Sequence, residues 1–305
     1  MPALPPLASP APAVPSPART ALLTVVALIA FAGNSLLCRV ALKQTGIDAA
    51  SFTSVRLTSG ALVLALLVLW RARGLCADDA PTRPWHNGNW TSAGALFVYA
   101  AGFSFAYISL SAATGALLLF GVVQTSMIGW GLWRGERLQP LQWLGLIAAS
   151  AGLVWLLLPG LATPSLSAGL LMASAGVAWA VYTLRGRGAG DATAVTAGNF
   201  LRATPLALAL SALLWTQAHW DAPGLLLALA SGALASGLGY AVWYTALRGL
   251  TATRAAILQL TVPALATAGG VLLLGEPLSP QLLGASVAVL GGVALVIAAR
   301  APARR

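Results

Sequence analysis

The amino-acid sequence repeats itself with a period of 140 residues. The first copy of the clearest motif reads Gly135-Glu136-Arg137-Leu138 and is followed by Pro140, and the second reads Gly275-Glu276-Pro277-Leu278 and is followed by Pro280. Upstream, Ala112, Ala116, Leu118 and Val122 fall on Ala252, Ala256, Leu258 and Val262. Because each copy is a half-protein, the repeat excludes short solenoid units and predicts two related halves.

The chain is too apolar for a water-soluble domain, with 58% hydrophobic and only 8% charged residues. Uncharged stretches cover Ala21–Cys38, Asn87–Trp133, Leu138–Leu184, Ala222–Leu247, Ala255–Gly275 and Pro277–Ala299. A bilayer-spanning helix needs about 20 residues, so the two longest stretches must each hold two helices. The apolar runs lack the two-residue alternation of a membrane barrel.

Two further candidate helices, residues 51–70 and 193–216, are interrupted by Arg56 and Arg202. The sequence therefore predicts an all-α membrane protein with ten transmembrane helices, five in each half. An odd number of helices per repeat inverts the second half relative to the first, and inverted repeats with a site at their interface are typical of transporters.

The basic residues predict the orientation. With the N-terminus in the cytoplasm, the inner side receives Arg19, Arg71, Arg73, Arg83, Arg134, Arg137, Arg185, Arg187, Arg248, Arg254, Arg300, Arg304 and Arg305. The outer side receives Lys43, with Arg39 at the outer helix end. The positive-inside rule then predicts that both termini are cytoplasmic. The basic residues form no patch, so the net charge of +10 does not indicate a nucleic-acid partner.

The domain boundaries follow from these spans. We predict a disordered, proline-rich cytosolic tail over 1–19, a first repeat over 20–160, a second repeat over 167–299 and a short cytosolic tail over 300–305. Cys38 and Cys76 lie in a helix and in a cytosolic loop and cannot form a disulfide framework. The preference for arginine over lysine suggests a GC-rich bacterial gene, so the predicted location is a bacterial inner membrane.

The motifs resemble those of the drug/metabolite transporter superfamily, and in particular its EamA-type branch. The resemblance is carried by Ser236-Gly237-Leu238-Gly239-Tyr240, Trp243, Ala246, Leu247, Leu260, Pro263 and Gly275-Glu276, and by Phe31-Ala32-Gly33-Asn34 with Arg39 in helix 1. Phe31 and Arg39 depart mildly from the family pattern, and Val123 stands where the second repeat has Pro263. The resemblance implies a carrier of small metabolites, often amino acids, that works by rocking of two halves.

Polar and aromatic residues deep in the predicted spans are the candidates for a substrate cavity. They are Asn34, Tyr107, Gln124, Trp179, Tyr182, Tyr240, Trp243 and Gln259. Each alone could equally be a packing residue or an interhelical hydrogen bond. Together they lie on helices that line the central cavity in the resembled superfamily. Amides can orient a zwitterion, and aromatic faces accept a cation or an apolar group.

The charged residues have two interpretations each. Glu136 and Glu276 are the only glutamates, and each could cap a helix or pair with an arginine, or else act as a gate. Arg56 and Arg202 could snorkel or bind helix-end carbonyls, or could face a cavity and attract a carboxylate or phosphate.

The predicted function is secondary transport of small metabolites, with export of amino acids as the first hypothesis. A lipid-linked or nucleotide-linked sugar transporter is the alternative. An intramembrane enzyme is disfavoured because the predicted spans lack Asp, Glu and His. The sequence indicates no cofactor and no metal site. The expected partners are the small-molecule substrate and the lipid bilayer, and the expected state is a monomer or homodimer.

The inverted topology can be tested by placing single cysteines at Leu138→Cys and Leu278→Cys in a cysteine-free protein. An impermeant maleimide added to intact cells should label the cysteine at position 278 and leave that at position 138 unlabelled, because five helices separate the two turns. Labelling after permeabilisation is the control for position 138. External labelling of both positions would rule out the inverted repeat.

Overall fold

A computed structural model describes residues 16–72, 84–135, 137–158, 165–186, 191–250, 255 and 258–299 of the protein. The predictions for Glu136, Cys76 and the chain termini fall outside these residues, except that Pro17 to Arg19 form the first turn of a helix instead of belonging to the predicted tail. The long helices are α1 (Pro17–Gln44), α2 (Ala49–Ala72), α3 (Trp90–Tyr107), α4 (Ala112–Trp133), α5 (Pro140–Leu157), α6 (Leu166–Gly186), α7 (Ala192–Leu213), α8 (Ala222–Leu247), α9 (Thr261–Leu274) and α10 (Pro280–Ala298).

This architecture confirms the prediction of an all-helical, ten-helix fold. The two longest uncharged stretches each hold two helices: residues 108–111 separate α3 from α4, and α5 ends at Leu157 while α6 begins at Leu166. Among the described residues, seven helices are long and apolar enough to cross a membrane, and α9 is shorter, with 14 residues. α4 passes through Val123 as one helix of 22 residues, whereas Pro263 lies in the first turn of α9.

The outer surface of the bundle is apolar. Large side chains such as Leu22, Leu272 and Val287 are more than half exposed, as expected where lipid replaces water. Exposed tryptophans lie at helix ends, for example Trp70 and Trp133, where aromatic rings typically meet the membrane interface. The protein is therefore an integral membrane protein.

The repeated Gly-Glu motif marks the end of the fourth helix of each half. Gly135 and Gly275 have φ angles of 88° and 63°, in the left-handed region that ends helices and favours glycine. Pro140 and Pro280 begin the next helices, where a missing N–H group costs nothing. The motif is thus a helix stop followed by a helix start.

One helix departs from regular α geometry. Ala230–Leu238, in the middle of α8, forms a π-helix of nine residues. π-Helical turns are rare in proteins overall, and those that do occur are often found at functional sites. The segment includes Ser231, whose hydroxyl donates to the Asn34 amide oxygen at 2.6 Å, and Ser236, which contacts Arg56.

Most helix contacts have a counterpart five helices further along the chain. α3 packs on α6 and α7, and α8 packs on α1 and α2; α4 packs on α6, and α9 packs on α1. Three further pairs join equivalent helices directly: α2 with α7, α4 with α9, and α5 with α10. Helices of the first half therefore pack against helices of the second half along most of the bundle.

The α5–α10 contact is a close approach of two backbones and depends on small residues. A Cβ atom added to Gly145 would lie 2.5 Å from the carbonyl oxygen of Gly292, and one added to Gly292 would lie 2.5 Å from that of Gly145. One added to Gly152 would lie 3.2 Å from the oxygen of Ala285. Position 145 therefore faces 292 and position 152 faces 285, so the two helices run antiparallel. Small residues let backbones approach closely in lipid, where packing replaces the hydrophobic effect.

We expect Gly292→Ala to lower the thermal stability of the purified protein in detergent, because the new methyl group meets the backbone of α5. Overpacking of this kind costs roughly 1–3 kcal/mol. Gly291→Ala is the matched control: a Cβ atom there meets nothing within 4 Å, and alanine is the better helix former by about 1 kcal/mol. Equal melting temperatures for the two variants would contradict the proposed contact.

Candidate functional site

A cavity of about 690 Å³ extends into the helix bundle from one end. Its wall includes residues of α1, α2, α4, α6, α7 and α8, and so draws on both halves. At the open end it reaches Arg71 and Arg248, which are exposed. A volume of this size is typical of sites for small molecules, about 300–1,000 Å³.

A layer of aromatic side chains forms the inner end of the cavity. Trp179 lies at its centre, with its ring 5.2 Å from that of Tyr240 and 4.6 Å from that of Tyr99. Phe31 contacts Tyr240 and Trp243 edge-on, at 5.8 and 5.7 Å. These rings come from α1, α3, α6 and α8, so the layer connects four helices through ring contacts.

A second, small cavity of about 30 Å³ lies on the other side of this layer. It shares Phe31, Trp179, Tyr240 and Gln259 with the large cavity. Its own wall adds Asn34, Ser35, Tyr99, Phe103, Leu119, Phe120 and Ala235. The aromatic layer therefore separates two adjacent spaces.

Six of the eight predicted cavity residues line these spaces. Gln124, Trp179, Tyr240, Trp243 and Gln259 line the large cavity, and Asn34 lines the small one. Tyr107 and Tyr182 line neither. The Tyr107 hydroxyl donates to the carbonyl oxygen of Ala112 at 3.4 Å, and Tyr182 is stacked on Trp179 at 5.4 Å. Both were predicted from their depth in the membrane, which does not determine the direction that a side chain faces.

Several lining residues lie outside the predicted set, for example Phe31, Tyr99, Met127, Arg71 and Arg248. Tyr99 had a signal in the sequence: Tyr99, Phe103 and Tyr107 are spaced by four and form one aromatic stripe on α3. Tyr99 packs on Phe103 at 5.5 Å, and Phe103 packs on Tyr107 at 4.7 Å.

The end opposite the cavity mouth is sealed by an ion pair. The Arg39 guanidinium, at the end of α1, donates to the Glu276 carboxylate at 3.2 Å, and the two side chains are 15% and 10% exposed. The carboxylate also accepts from the backbone N–H of Ala112 at 2.8 Å. Arg39 donates to the carbonyl oxygens of Tyr107 and Ile108 at 3.1 and 3.4 Å. The pair thus holds the α3–α4 turn against α1 and the end of α9.

We call these contacts the latch: Arg39 and Glu276 on one side, the α3–α4 turn on the other. Helix N-termini bind carboxylates because their free N–H groups and the helix dipole favour negative charge. Hydrogen bonds to charged groups contribute about 1.5–3 kcal/mol each. Glu276 therefore combines a cap on α4 with an ion pair, and these contacts are reversible.

Comparisons with known proteins agree with this architecture. The model of the EamA-like transporter family matches residues 166–298. A Pseudomonas aeruginosa PAO1 protein, given as "Uncharacterized protein PA1977", is 58% identical over 282 residues, which are 92% of this chain and 96% of that protein. The chain belongs to the EamA-like transporter family. A protein of known crystal structure shares the fold, with a TM-score of 0.62 and 23% identity over 92% of this chain and 98% of its own.

The two membrane arginines of this EamA-like transporter have different environments. Arg202 donates to backbone carbonyl oxygens: that of Gly198 at 3.0 Å, that of Trp85 at 3.0 Å and that of Asn87. The sequence suggested helix-end carbonyls as partners; here one carbonyl belongs to α7 itself and two belong to the segment before α3. Arg56 is 1% exposed and contacts side chains instead, so it neither snorkels nor binds the carbonyls of a helix end.

On the sealed face of the transporter, two aspartate carboxylates accept hydrogen bonds that connect the α1–α2 turn with the segment before α8. The Asp221 carboxylate accepts from the backbone N–H of Gly46 at 2.8 Å, and Asp48 accepts from that of His219 at 3.0 Å. The hydrogen bond from Gly46 lowers the pKa of Asp221. Burial alone would raise the pKa of Asp48, but hydrogen bonds from Ser51 and from the His219 backbone lower it overall. Both groups therefore stay charged at neutral pH.

Metal ligands are not clustered in the described part of the transporter. No group of three or more His, Cys, Asp or Glu residues there could hold a metal ion. His86 precedes α3 and His219 precedes α8, while Cys38 is a buried free thiol.

The latch predicts that Glu276→Gln raises the rate at which a hydrophilic maleimide labels Cys38 in purified protein, in a Cys76→Ser background. Cys38 is fully buried next to Arg39, and the amide cannot pair with the guanidinium. Loss of 1–2 kcal/mol corresponds to a rise of roughly 5–30-fold.

The control is Asp191→Asn, which removes the 3.8 Å pair with Arg71 near the cavity mouth and should leave labelling of Cys38 unchanged. If both variants label as slowly as the parent protein, the contacts at Glu276 do not hold this face shut.

Proposed function

We propose that the protein is a secondary transporter that exports a small metabolite by alternating access, with amino acids as the leading substrate class. The observation that carries the proposal is the large cavity, which draws on both halves, reaches one face and ends beneath the other. Alternating access requires a site that opens to each side in turn. A cavity sealed at one end by reversible polar contacts has the form of one state in such a cycle.

The proposed mechanism is rocking of two inverted halves. It is supported by the antiparallel packing of α5 and α10, which are equivalent helices in the repeat. It is also supported by the pairing of helix contacts, in which α3 packs on α6 and α8 packs on α1. In the proposed cycle, opening of the sealed face separates the α3–α4 turn from Arg39 and Glu276.

The direction of export rests on the charge distribution. The cavity mouth carries Arg71 and Arg248, and Arg185 lies in the last turn of α6. The positive-inside rule places this end in the cytoplasm, so the substrate would enter from the cytoplasm. The latch, with Glu276, then faces outward and acts as the proposed gate.

The substrate class rests on the chemistry of the wall. Gln124 and Gln259 supply amide donors and acceptors, while Trp179, Tyr240 and Trp243 supply aromatic faces. Such faces bind a substituted ammonium group or an apolar side chain, and the amides orient polar groups. An amino acid has an ammonium group, a side chain and further polar atoms, so it can make each of these contacts. This favours amino acids as the substrate class.

A nucleotide-linked or lipid-linked sugar is the second candidate, and one feature favours it. Arg71 and Arg248 at the mouth could bind phosphate groups, since guanidinium groups match phosphate geometry. The amino-acid hypothesis accounts for the aromatic layer as well and is therefore preferred.

The setting follows from the same argument. We propose that the protein acts in a bacterial inner membrane, as a monomer or homodimer, and binds no nucleic acid. Membership of a transporter family supports transport in place of an enzymatic activity.

The test is uptake of a radiolabelled amino-acid mixture into inverted membrane vesicles. We expect Trp243→Ala and Gln124→Ala to reduce uptake roughly tenfold or more, with folded protein near the parental amount. Removal of a buried aromatic residue costs about 3–5 kcal/mol, so protein levels are measured in parallel by gel filtration.

The matched control is Trp143→Ala, which removes a tryptophan from the bundle surface, where it is 46% exposed, and should transport normally. A loss of uptake that only follows loss of protein would favour a packing role for Trp243. If uptake of sugar conjugates depends on the cavity while that of amino acids does not, the second candidate replaces the first.

A further inference from the structure

Arg56 lies in the first half of α2 and is among the largest fully buried side chains of the described residues. Its guanidinium stays charged at any ordinary pH. In the described part of the chain, the ion pairs are Arg39–Glu276 and Arg71–Asp191, so Arg56 has no carboxylate partner there. An unpaired buried charge costs several kcal/mol, and a site that tolerates one calls for an explanation.

Its polar contacts are incomplete. Nε donates to the Ser236 hydroxyl at 3.3 Å, and Nη2 donates to the Tyr99 hydroxyl at 3.1 Å. The guanidinium carbon also lies 5.2 Å from the centre of the Tyr99 ring and 4.9 Å from that of Phe103. Nη1 is buried and has no partner among the described residues. Neutral hydroxyls and ring faces stabilise a cation without neutralising it.

The residues that hold this guanidinium also form the small cavity. Tyr99 and Phe103 line that cavity, and Ala235, beside Ser236, lines it from α8. The cavity adjoins the large one through Trp179 and Tyr240. The positive charge thus lies next to the innermost part of the substrate space, where a low dielectric strengthens its attraction for anions.

We infer that Arg56 is the anion-binding residue of the substrate site and that the substrate carries a carboxylate or phosphate group, which Nη1 binds. This inference rests on the proposed transport function. The small cavity, at about 30 Å³, exceeds the roughly 10–15 Å³ that one water molecule needs but is far smaller than the large cavity, so only the anionic end enters it while the body of the substrate stays in the large cavity. Trp179 and Tyr240 then contact the atoms adjacent to the anionic group.

Arg56 and Arg202 together provide a matched comparison. Both are arginines within membrane helices, and neither belongs to the wall of a cavity. The guanidinium of Arg202 is occupied by backbone carbonyls, whereas that of Arg56 contacts Tyr99 and Phe103, which line the small cavity. Loss of Arg202 removes structural hydrogen bonds, whereas loss of Arg56 removes a charge beside the substrate space. Only the second should change which ligands bind.

The test is equilibrium binding to the purified full-length protein in detergent, measured by the ligand-induced shift of thermal unfolding. The carboxylate arm compares L-leucine, L-phenylalanine and L-threonine with their amides. The phosphate arm compares glucose 6-phosphate with glucose and adds inorganic phosphate alone. The proteins are the parent, Arg56→Gln, Arg56→Lys and Arg202→Gln.

We expect at least one anionic probe to bind the parent protein at least about tenfold more tightly than its uncharged or amidated counterpart, as expected for a charge-assisted hydrogen bond. Arg56→Gln should abolish that preference, Arg56→Lys should retain part of it, and Arg202→Gln should keep it even if the protein melts at a lower temperature. The arm that responds identifies carboxylate or phosphate as the group recognised.

The inference is overturned if no anionic probe binds the parent more tightly than its counterpart, or if the preference survives in Arg56→Gln. In either case Arg56 is a structural residue whose Nη1 contacts only water. Should Arg56→Gln not fold, the parent's preference and its weakening in Arg56→Lys decide the matter.

Transport of the same probes into inverted vesicles separates this inference from the proposed function. Anion binding that depends on Arg56, with no transport of the bound compound, would leave the binding site standing and refute the transport proposal for that substrate. Transport of the amides and of glucose that does not depend on Arg56 would support the transport proposal and refute the role of Arg56 in binding the substrate.

Discussion

The Glu276 carboxylate is the contact on which the arrangement of the cavity depends. It joins the end of α9 to Arg39 of α1 and to the first N–H group of α4, and so brings three helices together at one end of the bundle. The aromatic layer forms the inner end of the large cavity, and the latch lies beyond that layer, at the end of α1. The exposure of the pair, 15% and 10%, is low enough for the charges to attract strongly and high enough to let water replace the contacts when they break.

Elsewhere the bundle is held by packing, since lipid offers no hydrophobic gain for bringing helices together. α5 and α10 meet through Gly145 and Gly292 at backbone distance. α2 and α7 meet through Gly60, whose missing side chain makes room for the Phe200 ring. Polar contacts add to this packing, such as the Ser54 hydroxyl that donates to the carbonyl oxygen of Ala207 at 2.8 Å. The latch and the helix–helix contacts thus use different forces.

The aromatic layer joins these two kinds of contact. Trp179 and Tyr240 pack as core residues, yet they also form the wall between the large cavity and the space beside Arg56. A partition made of side chains can change rotamer without a change of backbone, so the inner space can open while the helices stay packed. The π-helix in α8 serves the same region, because its wide turn presents Ser231 to Asn34 and Ser236 to Arg56.

The sequence by itself determined the membrane class, the ten helices and the Gly-Glu turns, because the length of apolar runs and the backbone needs of glycine and proline are local properties. It also identified six residues that line the cavities, since a polar or aromatic residue in a long apolar helix has few other places to go.

Only the tertiary structure decided what these residues touch. Arg56 and Arg202 look alike in sequence, but one is buried among side chains and the other binds carbonyls. Arg39 meets Glu276 across 237 positions of the chain, and Tyr107 turns away from the cavity. The depth of a residue in the membrane follows from its position along a helix. The direction that its side chain faces and the residues that it contacts depend on packing between distant segments of the chain.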